Sequence, residues 1–288
     1  MLKKILKKIL LQPFYLLNLF IFLYQKFISS ISPQTGAIMR QDMLKNIDSS
    51  KNLVEHNDSK FWMYTPNQIC TLRYLTFASK EPEILEWFEK YGGGTFYDIG
   101  SNIGIYSLYY AKKYQGHVYS FEPSVFNLRQ LTKNISINKL EEAITVITNP
   151  LSEISGPAVF KSLDQTEGAA FSSFGVDYDS NGDPLGDTTN YTLIGYSLDD
   201  LIAQKILHET PSIIKIDVDG IEHLILKGAL DILDDKNLKS VYIEVNDEFY
   251  EQASEVRKIM ERKNFKLTEI FPANKFLKTS VNNQIWVR

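Results

Sequence analysis

The feature that most constrains this chain is a glycine-containing turn between an apolar strand and a helix. Residues 95–111 read TFYDIGSNIGIYSLYYA, in which the strand ends at Asp98 and the helix follows Gly104. The glycines at 100 and 104 allow a tight turn and a close approach of the backbone to a ligand. Turns of this kind usually bring backbone amides close to a nucleotide. The turn therefore predicts a nucleotide-type cofactor.

The turn departs from the dinucleotide-binding pattern G-x-G-x-x-G. It reads D-x-G-x-N-x-G, and the third glycine of the dinucleotide pattern would fall at Ile105. Glu122 ends the next predicted strand, where a carboxylate can accept hydrogen bonds from both hydroxyls of an adenosine ribose. NAD and S-adenosylmethionine both carry that ribose, but a carboxylate at Asp98 suits the ammonium of a methionine moiety better than a pyrophosphate. We therefore expect S-adenosylmethionine, with an NAD-dependent Rossmann enzyme as the alternative.

Strands and helices alternate along the chain from Thr95 onward. The predicted strands are 95–99, 117–122, 143–148, 212–217, 240–245, 265–270 and 283–287, and the predicted helices are 103–114, 124–138, 197–208, 221–232 and 249–262. This alternation is typical of an α/β fold with a mostly parallel, doubly wound sheet and helices on both faces. The last two strands follow each other across residues 271–283 without a helix, so we expect an antiparallel hairpin at the sheet edge.

The first thirty residues differ in character from the rest. Residues 2–10 place leucine and isoleucine at helical spacing with lysines on the other face, and residues 9–25 carry no charge. Such a segment could span a membrane, lie in the membrane interface, or pack as an amphipathic helix on the body or on a second subunit. The lysines would hold the N-terminus in the cytoplasm, and a span would then place the remaining chain outside, away from a cytosolic cofactor. We expect interfacial attachment.

Three segments are predicted. Residues 1–30 form the amphipathic and apolar helical segment, residues 31–80 a linker and N-terminal extension, and residues 81–288 the α/β domain. The polar stretch 29–60 predicts a linker with one short helix. Residues 60–77 alternate between apolar and polar side chains as a hairpin does.

Composition limits the possible partners. The net charge of −4 argues against nucleic acid, since phosphate backbones are held by clustered lysine and arginine. A single cysteine, Cys70, excludes an intrachain disulfide and a cysteine-rich zinc site. Residues 177–188 resemble a calcium-binding loop, but Thr188 occupies the position of the bidentate glutamate. We therefore predict a solvent-exposed loop between strands instead.

Five blocks of the chain resemble, in order, those of the FkbM family of S-adenosylmethionine-dependent methyltransferases. They are FYDIGSNIGIYSLYYA, VYSFEPSVFNLRQLTKNISIN, ITNPLSE, SLDDLI and IIKIDVDGIEHLILKGA. The most specific part is the pairing of D-x-G-x-N-x-G with K-I-D-V-[ED]-G-x-E, although the family usually has alanine at Ser101 and often glutamate at Asp219. The resemblance implies that residues 81–288 form a Rossmann-like class I methyltransferase domain with a seven-stranded sheet.

The resemblance also implies which residues hold the cofactor. The expected set is Asp98, Gly100, Ser101, Asn102, Gly104 and Glu122, with Leu151, in the segment Asn149 to Ser152, beside the adenine. Residues 60–80 and 164–196 are expected to shape the pocket of the methyl acceptor.

Acidic side chains follow the fourth and fifth predicted strands. Lys215, Asp217 and Asp219 share one face if the strand stays regular, Glu222 follows in the next helix, and Glu244 ends the fifth strand. Ligands of open α/β sheets bind at the carboxyl ends of the strands, so these groups are expected near the acceptor. Asp217 is predicted to act as general base or to orient a hydroxyl, with Lys215 and Glu222 beside it as catalytic residues. Alternatively, Asp217 with Glu222 or Glu244 could hold Mg²⁺.

The predicted function is methylation of a hydroxyl on a small-molecule, sugar or glycan-like acceptor. The sugar follows from the resemblance and from the membrane-seeking N-terminus, since lipid-linked glycans are assembled at membranes. The expected location is the cytoplasm, with peripheral attachment to the cytoplasmic membrane face. A membrane-tethered binding module without catalysis is the alternative from another class.

Overall fold

The computed structural model describes residues 2–273 and 280–288, and the side chains from residue 11 onward. The chain divides into two compact units, Met1–Ser50 and Lys51–Arg288.

The first unit contains two helices, α1 (Leu2–Ile31) and α2 (Pro33–Asp48). Ser32 separates them and caps α2, because its Oγ accepts a hydrogen bond from the Thr35 amide at 3.3 Å. Within the described residues, Leu11–Ile31 is the one helical stretch long and apolar enough to cross a membrane, and none of it is buried. That criterion rests on length and composition only, and signal sequences also meet it. The predicted lysine and leucine faces of residues 2–10 lie outside the described side chains.

The second unit begins with a hairpin of β1 (Lys51–His56) and β2 (Ser59–Tyr64), followed by α3 (Gln68–Thr76) and α4 (Pro82–Tyr91). The hairpin predicted over residues 60–77 thus lies earlier in the chain, and the second half of that segment is helical. Asn67 decides the difference, since its Oδ1 caps α3 by accepting from the Cys70 amide at 2.8 Å.

The outer edge of β2 is covered by asparagine side chains. Asn138 Oδ1 accepts from the Trp62 amide at 2.8 Å, and its Nδ2 donates to the Trp62 carbonyl at 2.7 Å. Asn134 Oδ1 accepts from the Tyr64 amide at 2.9 Å. The side chains therefore take the place of a neighbouring strand.

The remaining elements follow the predicted order of strands and helices, with three additional strands between residues 156 and 195 that the sequence pattern did not predict. They are β3 (Phe96–Ile99), α5 (Ile105–Tyr114), β4 (Val118–Phe121), α6 (Val125–Ile137), β5 (Ile144–Ile147), β6 (Gly156–Ser162), β7 (Ser172–Phe174), β8 (Thr189–Gly195), α7 (Leu198–Ala203), β9 (Ile213–Ile216), α8 (Glu222–Lys227), α9 (Leu230–Asp234), β10 (Ser240–Asn246), α10 (Tyr250–Arg262), β11 (Lys266–Pro272) and β12 (Val281–Val287).

The main sheet has seven strands in the order β11-β12-β10-β9-β3-β4-β5. Five neighbouring strands run parallel to one another, namely β5, β4, β3, β9 and β10. At the other edge, β12 pairs antiparallel with both β10 and β11. The predicted α/β fold, with its mostly parallel sheet and antiparallel edge hairpin, is confirmed. Residues 274–279, part of the connection predicted to lack a helix, lie outside the described residues.

Apolar side chains cover both faces of this sheet. Ile99, Phe121 and Ile216 belong to one buried cluster, and Phe96 and Ile213 belong to the other. Strands buried on both faces read as continuous apolar runs, which is why the sequence pattern identifies them.

A second sheet of three strands, in the order β7-β6-β8, is inserted between β5 and α7. The calcium-like loop lies between β7 and β8. Asp179 Oδ1 accepts from the amides of Asn181 at 2.8 Å and Asp183 at 3.1 Å, so this carboxylate stabilises a turn.

Candidate cofactor and catalytic site

The turn between β3 and α5 crosses the carboxyl end of β9. Gly100 has φ +79, and a Cβ there would lie 1.9 Å from the Asp217 carbonyl oxygen. Gly104 has φ +85, and its Cβ would lie 2.4 Å from Leu131 Cδ1. Both positions therefore require glycine, the first for contact with β9 and the second for packing against α6.

Glu122, at the end of β4, holds this turn in place. Its Oε2 accepts from the Asn102 amide at 2.8 Å, and its Oε1 accepts from the Ser124 amide at 2.8 Å. Burial raises the pKa of Glu122 to about 7. Hydrogen bonds from Ser124, Asn102 and Asn127 lower this pKa but do not outweigh the effect of burial.

A cleft of about 730 Å³ opens beside Glu122, and we call it the first cleft. Its polar lining residues include Glu122, Asn149, Asp217 and Asp219, and Leu151 also lines it. Its walls also include apolar side chains, namely Ile99, Phe121, Phe160, Phe174, Ile221 and Ile225. A concave site lined by apolar side chains together with polar groups is typical of small-ligand sites. The cleft thus fits an adenosine, with apolar walls for the base and Glu122 for the ribose.

A second cleft of about 490 Å³ lies on the other side of the turn. Its charged lining residues are Arg73, Lys80, Glu81, Lys215 and Asp217. The two clefts share four lining residues, which are Arg73, Gly100, Asn102 and Asp217. Asp217 therefore stands where the two clefts meet.

Lys215 is buried between two carboxylates. Its Nζ lies 3.1 Å from Asp217 Oδ2 and 3.6 Å from Asp98 Oδ1. Burial opposes the ammonium, but Asp217 and Asp98 outweigh it and raise the pKa of Lys215. Asp98 Oδ2 also accepts from Ser107 Oγ at 2.5 Å. Asp98 lines neither cleft, and its contacts are with Lys215 and Ser107.

Asp217 and Glu244 have opposite electrostatic environments. Burial alone would raise the pKa of Asp217, but the ammonium groups of Lys215 and Lys80 hold it below its usual value. Burial and the neighbouring Asp217 carboxylate raise the pKa of Glu244 well above its usual value. The pKa values of the two carboxyl groups are thus shifted in opposite directions, the pattern that separates acid from base in many sites.

Asp219 holds a segment that borders the first cleft. Its Oδ2 accepts from the amides of Phe171 at 2.7 Å and Ser172 at 3.4 Å. Burial and the Asp217 carboxylate raise the pKa of Asp219 to about 6. Its φ of +62 breaks the regular strand after β9.

Glu222 lies behind the site and lines neither cleft. It is 1% exposed, and its Oε1 accepts from the Val218 amide at 3.1 Å. Its Oε2 accepts from the Gly220 amide at 3.1 Å and from the side chain of Gln252. Burial raises the pKa of Glu222 to about 7. These contacts hold the turn that follows Asp217.

Sequence reasoning missed the strap, as we call residues 167–172, and the side chains that hold it. The Ala169 carbonyl accepts from Asn102 Nδ2 at 2.8 Å and from Asn127 Nδ2 at 3.2 Å. The Gly168 carbonyl accepts from Arg73 Nε at 2.7 Å. The sequence indicated only that residues 60–80 and 164–196 shape a pocket, because their composition does not say what they contact.

The structure thus brings some of the predicted residues together and separates others. Those that line a cleft are Gly100, Ser101, Asn102, Glu122, Leu151, Lys215 and Asp217, whereas Asp98, Gly104 and Glu222 support the turns around it. No group of three or more His, Cys, Asp or Glu side chains that could hold a metal ion occurs within residues 2–273 and 280–288.

A family model described as the methyltransferase FkbM domain matches residues 98–267. Similar solved structures include a methyltransferase FkbM from Methylobacillus flagellatus KT, with 15% identity, a TM-score of 0.46, and coverage of 68% of this chain and 44% of that one. Our chain therefore spans less than half of that protein's length.

Two archaeal proteins are also similar in structure. The fibrillarin pre-rRNA processing protein of Methanococcus jannaschii has 14% identity and a TM-score of 0.41, with 83% of each chain covered. Aeropyrum pernix fibrillarin in complex with natively bound S-adenosyl-L-methionine has 11% identity and a TM-score of 0.42, with 68% of this chain and 66% of that one covered. No curated protein matches the chain.

Proposed function

The chain belongs to the FkbM family of S-adenosylmethionine-dependent methyltransferases, and from this premise we propose that it methylates a hydroxyl of a sugar or glycan-like acceptor. The family model matches more than half of the 288 residues, so the resemblance seen in the sequence is confirmed. Membership favours S-adenosylmethionine over the NAD alternative. The acceptor and the roles of individual residues are the proposal.

The first cleft is proposed to hold the adenosine part of the cofactor. Glu122 would accept hydrogen bonds from the ribose hydroxyls, as carboxylates at this position of the fold do. Leu151 and Ile221 would contact the adenine with their apolar side chains. The proposal is supported by the burial of the Glu122 carboxylate in a cleft whose walls are otherwise mostly apolar.

The position of Asp217 carries the proposal for catalysis. S-adenosylmethionine, when bound, supplies an activated methyl group on a sulfonium. Asp217 would accept a hydrogen bond from the acceptor hydroxyl and align its oxygen, and would take the proton as that oxygen gains the methyl group. Lys215, 3.1 Å away, keeps Asp217 ionised before transfer and acts as a positioning residue.

Asp217 and Asp219 both line the first cleft. These two carboxyl groups are available to a molecule with adjacent hydroxyls. This density of carboxyl groups supports a sugar acceptor. A binding module without catalysis would need Glu122 but would have no use for the buried Asp98–Lys215–Asp217 arrangement.

The exposed apolar helix α1 supports a peripheral location on the cytoplasmic face of a membrane. Large apolar side chains such as Leu16, Phe20 and Leu23 are each more than half exposed. Apolar surface of this extent on one helix favours the membrane interface over water. A lipid-linked glycan would be assembled at the same surface.

Labelled methyl transfer tests the proposal directly. The purified chain is incubated with S-adenosyl[methyl-³H]methionine and with separated lipid-linked glycan, soluble metabolite, protein and RNA fractions. We expect label in the glycan or sugar-containing fractions, as an ether that resists alkaline hydrolysis. Label released as methanol by alkali would indicate a carboxylate acceptor, and label in protein or RNA alone would contradict the proposal.

A further inference from the structure

Arg73, in α3, differs from the other cations beside the clefts. Lys80 pairs with Glu81, and Lys215 pairs with Asp217 and Asp98. Arg73 has no carboxylate partner within the described residues. Its Nε donates a hydrogen bond to the Gly168 carbonyl at 2.7 Å. The two terminal nitrogens of the guanidinium are therefore left for a ligand.

The position of Arg73 indicates which kind of ligand the two terminal nitrogens of its guanidinium could bind. Its side chain lines both clefts, at the boundary that Gly100, Asn102 and Asp217 also form. The first residues of α5, Ile105 and Tyr106, line the second cleft as well. Amides in the first turn of a helix have no intrahelical partner, and the helix dipole favours negative charge there. A guanidinium and a helix start therefore face the same space.

The cofactor has one group that suits this space. When its adenosine lies in the first cleft, its amino-acid end extends past Gly100 towards the second cleft, because the two clefts meet there. That end carries a carboxylate, and the guanidinium fork matches the two oxygens of a carboxylate better than any other side chain does. The carboxylate of Glu81 in the same cleft offers a place for the accompanying ammonium.

We propose that Arg73 binds the α-carboxylate of the cofactor's methionyl group in the second cleft, while its Nε keeps the strap in place. The proposal rests on the proposed function, since it assumes the methyl donor. Arg73 precedes residues 98–267, which the family model matches, so a residue outside the matched region would complete the cofactor site. The strap and the cofactor would then be joined by one side chain.

Two ligands that differ only in the carboxylate test this proposal. S-adenosylhomocysteine carries the carboxylate, and 5′-deoxy-5′-(3-aminopropylthio)adenosine keeps the adenosine and the ammonium without it. Titration calorimetry on the full chain gives the ratio of their dissociation constants. We expect the wild-type chain to bind S-adenosylhomocysteine on the order of 10- to 100-fold more tightly, the value of a charge-assisted hydrogen bond. In Arg73→Gln that ratio should fall to about one.

The controls separate binding from support of the strap. Arg129 pairs with Glu167 on the same strap and lines neither cleft, so Arg129→Gln should keep the wild-type ratio. Arg73→Lys retains the charge and should show an intermediate ratio, which also serves if Arg73→Gln fails to fold. A wild-type ratio in Arg73→Gln, or an equal loss of affinity for both ligands, would overturn the proposal. A wild-type chain that binds neither ligand would instead contradict the proposed function.

Discussion

Lys215 Nζ lies 3.1 Å from Asp217 Oδ2 at the point where the two clefts meet. The lysine side chain is 2% exposed, whereas the aspartate side chain is 33% exposed. Lys215 is thus buried in the protein, whereas Asp217 faces the clefts. The buried ammonium fixes the charge of the carboxylate that a substrate would meet.

Replacing Asp217 with asparagine removes the proposed proton acceptor and nearly preserves the shape of the side chain. We expect the rate of methyl transfer at saturating cofactor to fall by roughly 10²- to 10⁴-fold. Affinity for S-adenosylhomocysteine should change much less than the rate. Single-turnover measurements would check this, with the exposed Asp187→Asn as matched control. Wild-type rates in Asp217→Asn would rule out the catalytic role.

Lys215→Met leaves Asp98 buried without its cation. We expect the free energy of unfolding to fall by about 3–5 kcal/mol, since an uncompensated charge remains in the interior. The double variant Asp98→Asn/Lys215→Met removes both charges and should lose less stability than the single variant. Urea denaturation compares the two. An equal or greater loss in the double variant would mean that packing, and not charge, dominates.

Glu122→Gln tests the ribose contact through its pH dependence. Ionised Glu122 accepts hydroxyl hydrogen bonds, so the wild-type affinity for S-adenosylhomocysteine should rise by about tenfold between pH 6 and pH 8, across the pKa of about 7. The Gln variant should bind about 10- to 100-fold more weakly at pH 8 and should lose that part of the pH dependence. Calorimetry at several pH values gives both quantities, and identical pH profiles would refute the assignment.

The raised pKa of Glu122 makes the stability of the folded chain fall with rising pH, whereas the affinity for the ligand rises. The pKa of Glu122 is raised from 4.5 to about 7 in the folded chain, so the folded state binds more protons than the unfolded state between these values. The contribution of Glu122 to stability is therefore complete below about pH 4.5 and is lost as the pH rises through about 7. A bound ribose would offset part of this loss.

Gly100→Ala should destabilise the chain by about 3 kcal/mol or more. It combines a left-handed φ of +79 with a Cβ placed 1.9 Å from the Asp217 carbonyl, where the backbone cannot move freely. Gly93 is the matched control, because its φ is +97 and no atom lies within 4 Å of its Cβ. Gly93→Ala should cost only about 1–2 kcal/mol. Equal melting temperatures for the two variants would argue against a close contact between the turn and β9.

Removal of residues 1–31 should abolish binding to phosphatidylglycerol-containing vesicles while the remaining chain still binds S-adenosylhomocysteine. The apolar side chains of Leu11–Ile31 are the physical reason, since they are exposed and would enter the membrane interface. Vesicle co-sedimentation and calorimetry measure the two properties. Vesicle binding that survives the truncation would place the membrane contact elsewhere, and lost cofactor binding would make the segment part of the cofactor site.

The sequence was most informative where one pattern decides one structure. Continuous apolar runs identified the buried strands, and the spacing of Gly100, Asn102 and Glu122 identified the turn, while the ribose contact of Glu122 stays a prediction. The roles of Asp98 and Glu222 could not be read in the same way, because a carboxylate after a strand can face either a ligand or the protein. Arg73 carried no sequence signal at all, since its importance comes from a tertiary contact with the strap.

Asn134 and Asn138 have a consequence for how copies of this chain behave at high concentration. An open strand edge offers unpaired amides and carbonyls on which another chain can add a strand, and such addition leads to aggregation. In β2 the amides of Trp62 and Tyr64 are already bonded to these two side chains. The β2 edge of this hairpin is thus protected from intermolecular strand addition by Asn134 of α6 and by Asn138, which caps the end of that helix.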